Sequence, residues 1–249
     1  MQATARLSPQ HEAPPEATRQ APVATRPLIA VVPLRAGSKG FPGKNTALIA
    51  GRPLYEHAIR QGIEAGASRV IVTTDIREVL EATHDEGVLV HRRPAELTGD
   101  DVPMAPVLAD VLARPEADGA DVVLLQATSP MRRPEQIREA VDQLRAAGVD
   151  LVMSVRPADA GVLKYGTVED GRFQALRDPR HPFTNRQDLP PVYRPNGAIY
   201  VFAAEWYREH GSFDSASVGA YVMSAEDSVD IDTPQDLNAA AARWPHEKG

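Results

Sequence analysis

Short apolar runs alternate along the chain with longer segments in which apolar residues recur at helical spacing. The strand-like runs cover 28–34, 69–74, 88–90, 121–126 and 151–155. The segments with helical spacing between and after them cover 53–65, 76–86, 105–113 and 136–147. Strands that alternate with helices in this way form βαβ units. The pattern therefore predicts an α/β fold with a mostly parallel sheet.

The alternation breaks after residue 155. Residues 156–195 are polar, basic and rich in proline, with only weak strand patterns at 164–167 and 172–175. We interpret this segment as an insertion that carries antiparallel strands. The core pattern resumes with strands at 198–202 and 220–223, and a closing helix is expected over 234–244 because proline suits a first helical turn.

The first 27 residues differ in composition from the rest of the chain. They are rich in Pro, Ala, Thr, Gln and Glu and contain no apolar run that suits a signal peptide or a membrane helix. We expect residues 1–27 to be a disordered leader before a single domain over 28–249. The protein is predicted to be cytoplasmic, without membrane contact.

Composition narrows the possible functions further. The net charge of −7 and the pI of about 5.5 argue against non-specific nucleic-acid binding. The chain has no cysteine, which excludes disulfides, thiolate metal sites and cysteine nucleophiles.

The residues from Arg35 to Asn45 follow the first strand and have the composition of a phosphate-binding loop. They include three glycines, the cations Arg35, Lys39 and Lys44, and the hydroxyl of Ser38. Glycine lets backbone N–H groups approach phosphate oxygens closely, and the cations neutralise phosphate charge. The P-loop pattern is absent, since Asn45 follows Lys44. A surface turn is the alternative, but so many cations among glycines favour a triphosphate site.

A group of neutral polar residues follows the strand at 121–126. Gln126, Thr128 and Ser129 offer hydrogen-bond donors and acceptors at the end of that strand, where a parallel sheet binds its ligands. They could contact a polar substrate. A capping turn before Pro130 explains the same residues without a ligand.

Two carboxylates near the end of the chain are candidates for metal binding. Asp230 and Asp232 alternate on an extended segment, which points both side chains to one side. Paired carboxylates that face a triphosphate suit magnesium, which prefers oxygen ligands. The alternatives are a chance pair and a cap for the last helix.

Five motifs, in order, resemble those of the acylneuraminate cytidylyltransferases, enzymes that join CMP to a sugar acid. The resemblance covers nearly all of residues 28–244. It implies a nucleotidyltransferase (Rossmann-like) fold with three layers, and a dimer in which the inserted segment, 156–195, reaches the partner's site. The motifs are Arg35-Ala-Gly-Ser-Lys-Gly-Phe-Pro-Gly-Lys-Asn45, Arg93-Pro-Ala-Glu-Leu97, Gln126-Ala-Thr-Ser-Pro130, Arg194-Pro-Asn-Gly-Ala-Ile-Tyr200 and Asp227-Ser-Val-Asp-Ile-Asp-Thr-Pro234.

The resemblance also implies roles for individual residues. CTP and a sugar acid would be the substrates, magnesium the cofactor, and Lys44, Arg35 and Asp232 the catalytic residues. Asp230 and Asp232 would bind the metal. The nucleotide would contact Arg35, Ser38, Lys39, Lys44, Asn45 and Arg93, and the sugar acid would contact Gln126, Thr128, Ser129, Lys164, Arg186 and Tyr200.

The chain departs from the family pattern at three places. Ala127 replaces the usual proline after Gln126, and Pro103-Met104 stands where small and hydroxyl residues commonly lie near the base. Phe213 is a single phenylalanine in a region where the sialic-acid enzymes often carry two near the acyl group. The departures leave open a deaminated, deoxy or amino-substituted ulosonate as the acid, or another base. A metal-dependent glycosyltransferase and a non-catalytic nucleotide sensor are the other candidates.

Overall fold

A computed structural model describes residues 26–37 and 40–244. Its main sheet has seven strands, with helices on both faces. The strands are β1 (Leu28–Pro33), β2 (Leu48–Ile49), β3 (Arg52–Pro53), β4 (Arg69–Thr74), β5 (Val88–Arg92), β6 (Asp121–Leu124), β7 (Leu151–Ala158), β8 (Gly166–Glu169), β9 (Arg172–Ala175), β10 (Val192–Ala203) and β11 (Val218–Val222). The helices are α1 (Leu54–Glu64), α2 (Arg77–Glu81), α3 (Met104–Leu112), α4 (Pro134–Ala147), α5 (Ala204–His210) and α6 (Pro234–Arg243).

The strand order in the main sheet is β11-β7-β10-β6-β1-β4-β5. Strand β10 is antiparallel to both of its neighbours, β6 and β7, and all other neighbouring strands are parallel. The predicted α/β fold with a mostly parallel sheet is confirmed.

The buried strand β1 shows how the sheet separates two cores. Ala30 and Val32 face the core that contains α1 and α4, whereas Ile29 and Val31 face the core that contains α3 and α5. Successive strand residues point to opposite faces, so a strand buried on both sides is apolar throughout. This arrangement confirms the three predicted layers. Helix α1 lies so close to β1 that a Cβ at Gly62 would stand 2.9 Å from the Cβ of Ala30.

The inserted segment connects strands β7 and β10 of the main sheet. Strands β7 and β10 stay paired to their far ends, where Val192 lies opposite Ala158. Between them the chain forms the antiparallel hairpin of β8 and β9. The prediction of antiparallel strands in this segment is confirmed.

Several bounds differ from the sequence prediction by a few residues, and one helix was not predicted. Helix α2 ends at Glu81 rather than near residue 86. Just after this end, Nε2 of His84 lies within hydrogen-bond distance of the Val79 carbonyl, at 3.2 Å. Strand β6 ends at Leu124 rather than Gln126, and the residues that follow form a loop that lines a cleft. Helix α5 was not predicted from the sequence, and it places Tyr207 in the core.

Residues 1–25, which make up most of the predicted leader, lie outside the described residues. Among the described helices, none is long and apolar enough to cross a membrane.

Candidate active site

A polar cleft of about 230 Å³ lies beyond the carboxyl ends of β1, β5 and β6. This is the edge of a parallel sheet at which ligands bind. Cations and carboxylates line one part of the cleft, and neutral polar groups line another. The lining residues are Pro33, Leu34, Arg35, Lys44, Asn45, Arg93, Met104, Gln126, Ala127, Thr128, Asp230 and Asp232.

Two side chains fix the start of the loop after β1 by hydrogen bonds to its backbone. The backbone N–H of Ala36 donates to Asp75 at 2.8 Å, and the buried amide of Asn45 donates to the carbonyl of Arg35 at 3.1 Å. Gly43 has a φ of +73°, which glycine adopts without strain. Asn45 therefore shapes the loop as well as lining the cleft. The predicted phosphate ligands Ser38 and Lys39 lie outside the described residues.

Both described cations of this loop are paired with carboxylates. Arg35 Nη1 lies 2.5 Å from Asp100 Oδ1, and Lys44 Nζ lies 2.8 Å from Asp232 Oδ1. The second pair joins residues that are 188 positions apart in the sequence. It brings the glycine-rich loop and the Asp230–Asp232 segment together at one edge of the sheet.

The Asp230–Asp232 segment is fixed by its central residue. Ile231 is buried, and its N–H donates to the carbonyl of Thr128 at 2.8 Å. The flanking carboxylates both line the cleft as a result. The segment is not assigned as a strand. Helix α6 is instead capped by Thr233 and Asp236, whose side chains exchange hydrogen bonds with each other's backbone N–H groups at 3.2 and 2.8 Å.

The environment of Asp230 disfavours its ionised form. Loss of surrounding water raises the pKa of its carboxyl group, and the charge of Asp232 adds to that effect. A hydrogen bond from Thr128 and the charge of Lys44 act in the opposite direction. A cation bound beside Asp230 would remove the conflict between the two carboxylates. No cluster of three or more His, Cys, Asp or Glu side chains suited to a metal occurs in the described ranges.

Arg93 is a buried cation in the wall of the cleft. Its side chain donates to the carbonyl of Thr73 at 3.1 Å, and its Nε has no hydrogen-bond partner within the described part of the chain. Burial lowers the pKa of its guanidinium, although nearby Asp75 acts against this shift. A buried guanidinium with an unused donor suits an anionic or polar ligand.

The loop after β6 brings neutral groups to the cleft. Gln126 and Thr128 line it, while Ser129 is buried just behind with its N–H near the Gln126 carbonyl at 3.3 Å. Arg132, which the sequence analysis did not select, holds this loop. Its Nη1 donates to the carbonyls of Gln126 and Ala198 at 2.7 and 3.2 Å.

Tyr200 lies on β10 close to the same edge. Its ring stacks on Phe213 with centroids 5.6 Å apart, and burial together with the charge of Asp230 raises the pKa of its hydroxyl. Tyr200 is therefore near the carboxylates, although it is not among the residues that line the cleft.

Lys164 and Arg186 lie away from the cleft, in the inserted segment. Lys164 ends the short 3₁₀ helix Ala160–Lys164, and Arg186 begins the 3₁₀ helix Arg186–Asp188. The guanidinium of Arg186 pairs with Asp159 at 2.7 Å, and both side chains are exposed. The described residues of one chain do not place either cation against the sugar-acid side of the cleft, so their roles stay predictions.

Asn196 joins two of the sequence motifs, and the sequence analysis missed it. Its buried amide donates to Ser228 Oγ at 2.8 Å, and its carbonyl oxygen lies 2.5 Å from Ser154 Oγ. These contacts tie the segment before Asp230 to a bulge in β10. Its place within the Arg194–Tyr200 motif was the available signal, but nothing local showed that the side chain points inward.

Comparison with known proteins assigns the family. A sequence model described as cytidylyltransferase matches residues 29–217, which is more than half of the chain. This chain belongs to the cytidylyltransferase family. The resemblance seen in the five motifs is thereby confirmed.

Curated relatives of this cytidylyltransferase carry two different names. N-acylneuraminate cytidylyltransferase of Streptococcus agalactiae serotype III (strain NEM316) is 35% identical over 212 residues, covering 84% of this chain and 51% of the relative. The chain therefore spans about half the length of that relative. CMP-N,N'-diacetyllegionaminic acid synthase of Legionella pneumophila (strain Philadelphia 1) is 33% identical over 221 residues, covering 84% of this chain and 92% of the relative.

Solved structures share the fold of this cytidylyltransferase at low identity. CMP:2-keto-3-deoxy-manno-octonic acid synthetase, solved in complex with CTP, superposes with a TM-score of 0.64 at 18% identity, covering 87% of this chain and 98% of the other. A 4-diphosphocytidyl-2C-methyl-D-erythritol synthase has a TM-score of 0.61 at 15% identity, covering 88% and 99%. Both confirm a nucleotidyltransferase-type fold.

Proposed function

We propose that this cytidylyltransferase joins CMP from CTP to the anomeric hydroxyl of a sialic-acid-like sugar acid and releases pyrophosphate. The observation that carries the proposal is the meeting of Lys44 with Asp232 in the cleft, at 2.8 Å. It places the glycine-rich loop and a pair of carboxylates at one point, as transfer of a nucleotide from a triphosphate requires. The names of the two curated relatives support a sialic-acid-like sugar acid as the acceptor.

The cation-rich part of the cleft would hold the triphosphate. Arg35 and Lys44 would neutralise phosphate charge, together with Ser38 and Lys39 of the same loop. Arg93, with its unused Nε donor, would contact the nucleotide. Asn45 would keep the loop in shape through its hydrogen bond to the Arg35 carbonyl.

The reaction needs positioning and charge neutralisation more than a covalent intermediate. The oxygen of the anomeric hydroxyl forms a bond to the α-phosphorus, and the bond from that phosphorus to the oxygen bridging to the β-phosphate breaks. Pyrophosphate leaves with the electron pair, and the hydroxyl proton is released. Lys44 and Arg35 would stabilise the charge that develops on the phosphates.

The carboxylates of Asp230 and Asp232 fit magnesium, because the ion prefers oxygen ligands and keeps several waters. Their shared position in the cleft and the raised pKa of Asp230 both support a cation there. Magnesium would neutralise phosphate charge when bound. Asp230 and Asp232 would orient it, and Thr128 would hold Asp230 through its hydrogen bond.

The sugar acid would lie against Gln126, Thr128, Ser129 and Tyr200. We propose that the chain forms a homodimer in which the inserted segment completes this pocket. Exposed apolar side chains support the dimer. Ten large apolar side chains are exposed among the described residues, and seven of them lie in the inserted segment. They are Val162, Tyr165, Val168, Phe173, Leu176, Phe183 and Tyr193.

A pyrophosphate-release screen tests the function directly. CTP, UTP, ATP and GTP are each incubated with N-acetylneuraminate, an N,N'-diacetylated legionaminate, a deaminated neuraminate and 2-keto-3-deoxy-octonate, with magnesium. We expect release with CTP and at least one of these acids. The Lys44→Ala variant should lose about 10³-fold or more in rate while keeping its fold. Binding of CTP without pyrophosphate release in any combination would leave a nucleotide sensor instead.

A glycosyltransferase that uses Asp230 and Asp232 for a nucleotide sugar is the remaining alternative enzyme, and it would not need the triphosphate loop. Transfer from a CMP-sugar acid to an acceptor, with no synthesis from CTP, would favour it. A cytoplasmic location remains a prediction.

A further inference from the structure

A second cavity lies between α1, the start of α4 and the end of α6, and Arg132 at the end of the Gln126–Arg132 loop lines it. Its volume is about 470 Å³, which falls in the range of small-molecule sites. Cations dominate its walls, and Glu64 is the one acidic residue among the lining residues. The cations are Arg52, Arg60, Arg132 and Arg133.

Arg132 is the central residue of this cavity. It is 2% exposed, and its pKa is lowered to about 9 because burial alone removes water from the guanidinium. Its Nε and Nη2 have no hydrogen-bond partner within residues 26–37 and 40–244. A buried guanidinium that lacks a carboxylate partner is costly, so this charge calls for an anion nearby.

The other cations leave donors available at the mouth of the cavity. Arg60 pairs with Glu64 only at 3.3 Å, and Arg133 pairs with Asp227 only at 3.3 Å, with more than 40% of each arginine side chain exposed. These exposed, long ion pairs are weak and can exchange partners. Helix α4 begins at the cavity wall with Pro134, so its positive end adds to the same potential.

An aromatic wall completes the cavity. The rings of His57 and Trp244 lie with centroids 4.6 Å apart, and His57 Nε2 is occupied by the carbonyl of Ile49 at 2.9 Å. Aromatic rings beside several guanidinium groups can hold an organic group next to an anionic one.

We propose that this cavity binds a phosphate group, as the free ion or as the ester of a small organic molecule, at a site separate from the active cleft. Arg60 and Arg133 would contact the phosphate, and Arg132 would supply the buried positive charge behind them. Arg132 also donates to the Gln126 carbonyl, so the occupied site would adjoin the loop that builds the cleft. The inference is independent of the proposed enzymatic function.

Equilibrium dialysis with radiolabelled inorganic phosphate tests the site on the full chain. Arg60→Gln and Arg133→Gln should each raise the phosphate Kd about tenfold or more, the effect of losing one charge-assisted hydrogen bond. Arg77→Gln removes an exposed arginine far from the cavity and should leave the Kd unchanged. Lys44→Ala separates this site from the active cleft, and phosphate binding should survive it.

Fluorescence shows whether phosphate binds near Trp244 and distinguishes the free ion from an organic phosphate ester. The chain has two tryptophans, so a Trp206→Phe variant reports Trp244 alone. Inorganic phosphate and ribose 5-phosphate should both shift its emission, whereas ribose should not. A tighter Kd for the ester would identify an organic phosphate as the ligand, and equal values would identify the free ion. Loss of all phosphate binding in Lys44→Ala, or wild-type binding in both Arg60→Gln and Arg133→Gln, would overturn the proposal.

Discussion

The surroundings of Asp230 in the folded chain disfavour its ionised carboxylate. Because its pKa is raised in the folded state, its ionised carboxylate reduces stability above that pKa, and protonation restores it. A group that is kept in a destabilising position is typical of a functional site. The substitution Asp230→Asn separates the catalytic role of the carboxylate from its cost to stability.

We predict that Asp230→Asn loses most activity but melts, without magnesium at neutral pH, no lower than the wild type. The amide is neutral and can still accept from Thr128, so the charge conflict disappears while the contact stays. Thermal melts over a pH series check this, and the two proteins should converge as the pH falls through the pKa of Asp230. A clearly lower melting temperature for the variant at neutral pH would contradict the argument.

We predict that Asp232→Asn also loses most activity and needs more magnesium for half-maximal rate. Asp118→Asn is the control, because Asp118 is an exposed carboxylate that pairs with Arg208 and does not line the cleft. That variant should lose about 1 kcal/mol of stability or less and keep the wild-type magnesium requirement. A rate titration against magnesium for both variants decides the matter, and identical titrations would remove Asp232 from the metal site.

At the scale of elements, Asn196 holds the segment before Asp230 against β10. We predict that Ser228→Ala, which removes one end of this link, raises the magnesium requirement and lowers kcat by roughly tenfold. Asn196→Ala should do the same and also cost about 1–3 kcal/mol, because it removes the buried hydrogen bonds of its amide with Ser154, Ser228 and the N–H of Ala198. Ser68→Ala is the control, since that hydroxyl donates to the carbonyl of Leu28 at the opposite end of β1 from the cleft. An unchanged magnesium requirement in Ser228→Ala would show that the link is structural alone.

The start of β6 depends on one fully buried carboxylate. Asp121 pairs with Arg26 and Arg145, each at 2.8 Å, and its side chain has no exposure. We predict that the Arg26→Ala, Arg145→Ala double variant loses about 3–5 kcal/mol of unfolding free energy, because a buried charge is left unpaired. Adding Asp121→Asn should recover part of the loss. Urea unfolding measures both, and no recovery in the triple variant would count against the charge as the cause.

The sequence predicted those elements whose reasons are local. The apolar runs of β1 and β4 and the helical spacing of α1 and α4 were sufficient to predict the α/β fold. The glycine-rich loop and Asp230 could be proposed because motifs lie contiguous in the chain. Asn196 and Arg132 could not be selected, since their roles depend on distant partners: Ser228 is 32 residues from Asn196, and Ala198 is 66 residues from Arg132. The place of β10 between β6 and β7 is likewise a non-local outcome that no periodicity encodes.

At the scale of the whole molecule, the exposed apolar side chains of the inserted segment are the basis of the proposed dimer. We predict that the wild type is a dimer in light scattering and that the Phe173→Glu, Phe183→Glu double variant is a monomer. Charged residues on an apolar interface prevent its burial. Leu48→Glu, on an exposed leucine outside the segment, should leave the dimer intact. A monomeric wild type at micromolar concentration would refute the dimer.

The position of β10 also has a consequence for the order in which the chain folds. β6 and β7 are parallel strands joined through α4, the kind of connection that normally makes two strands direct neighbours. Strand β10, which leaves the ribosome after both, must enter between them. The gap between β6 and β7 therefore stays open, or reopens, until residues 192–203 arrive. Since Asn196 comes with that strand and holds the segment before Asp230, the carboxylate side of the cleft is completed only when this last central strand is in place.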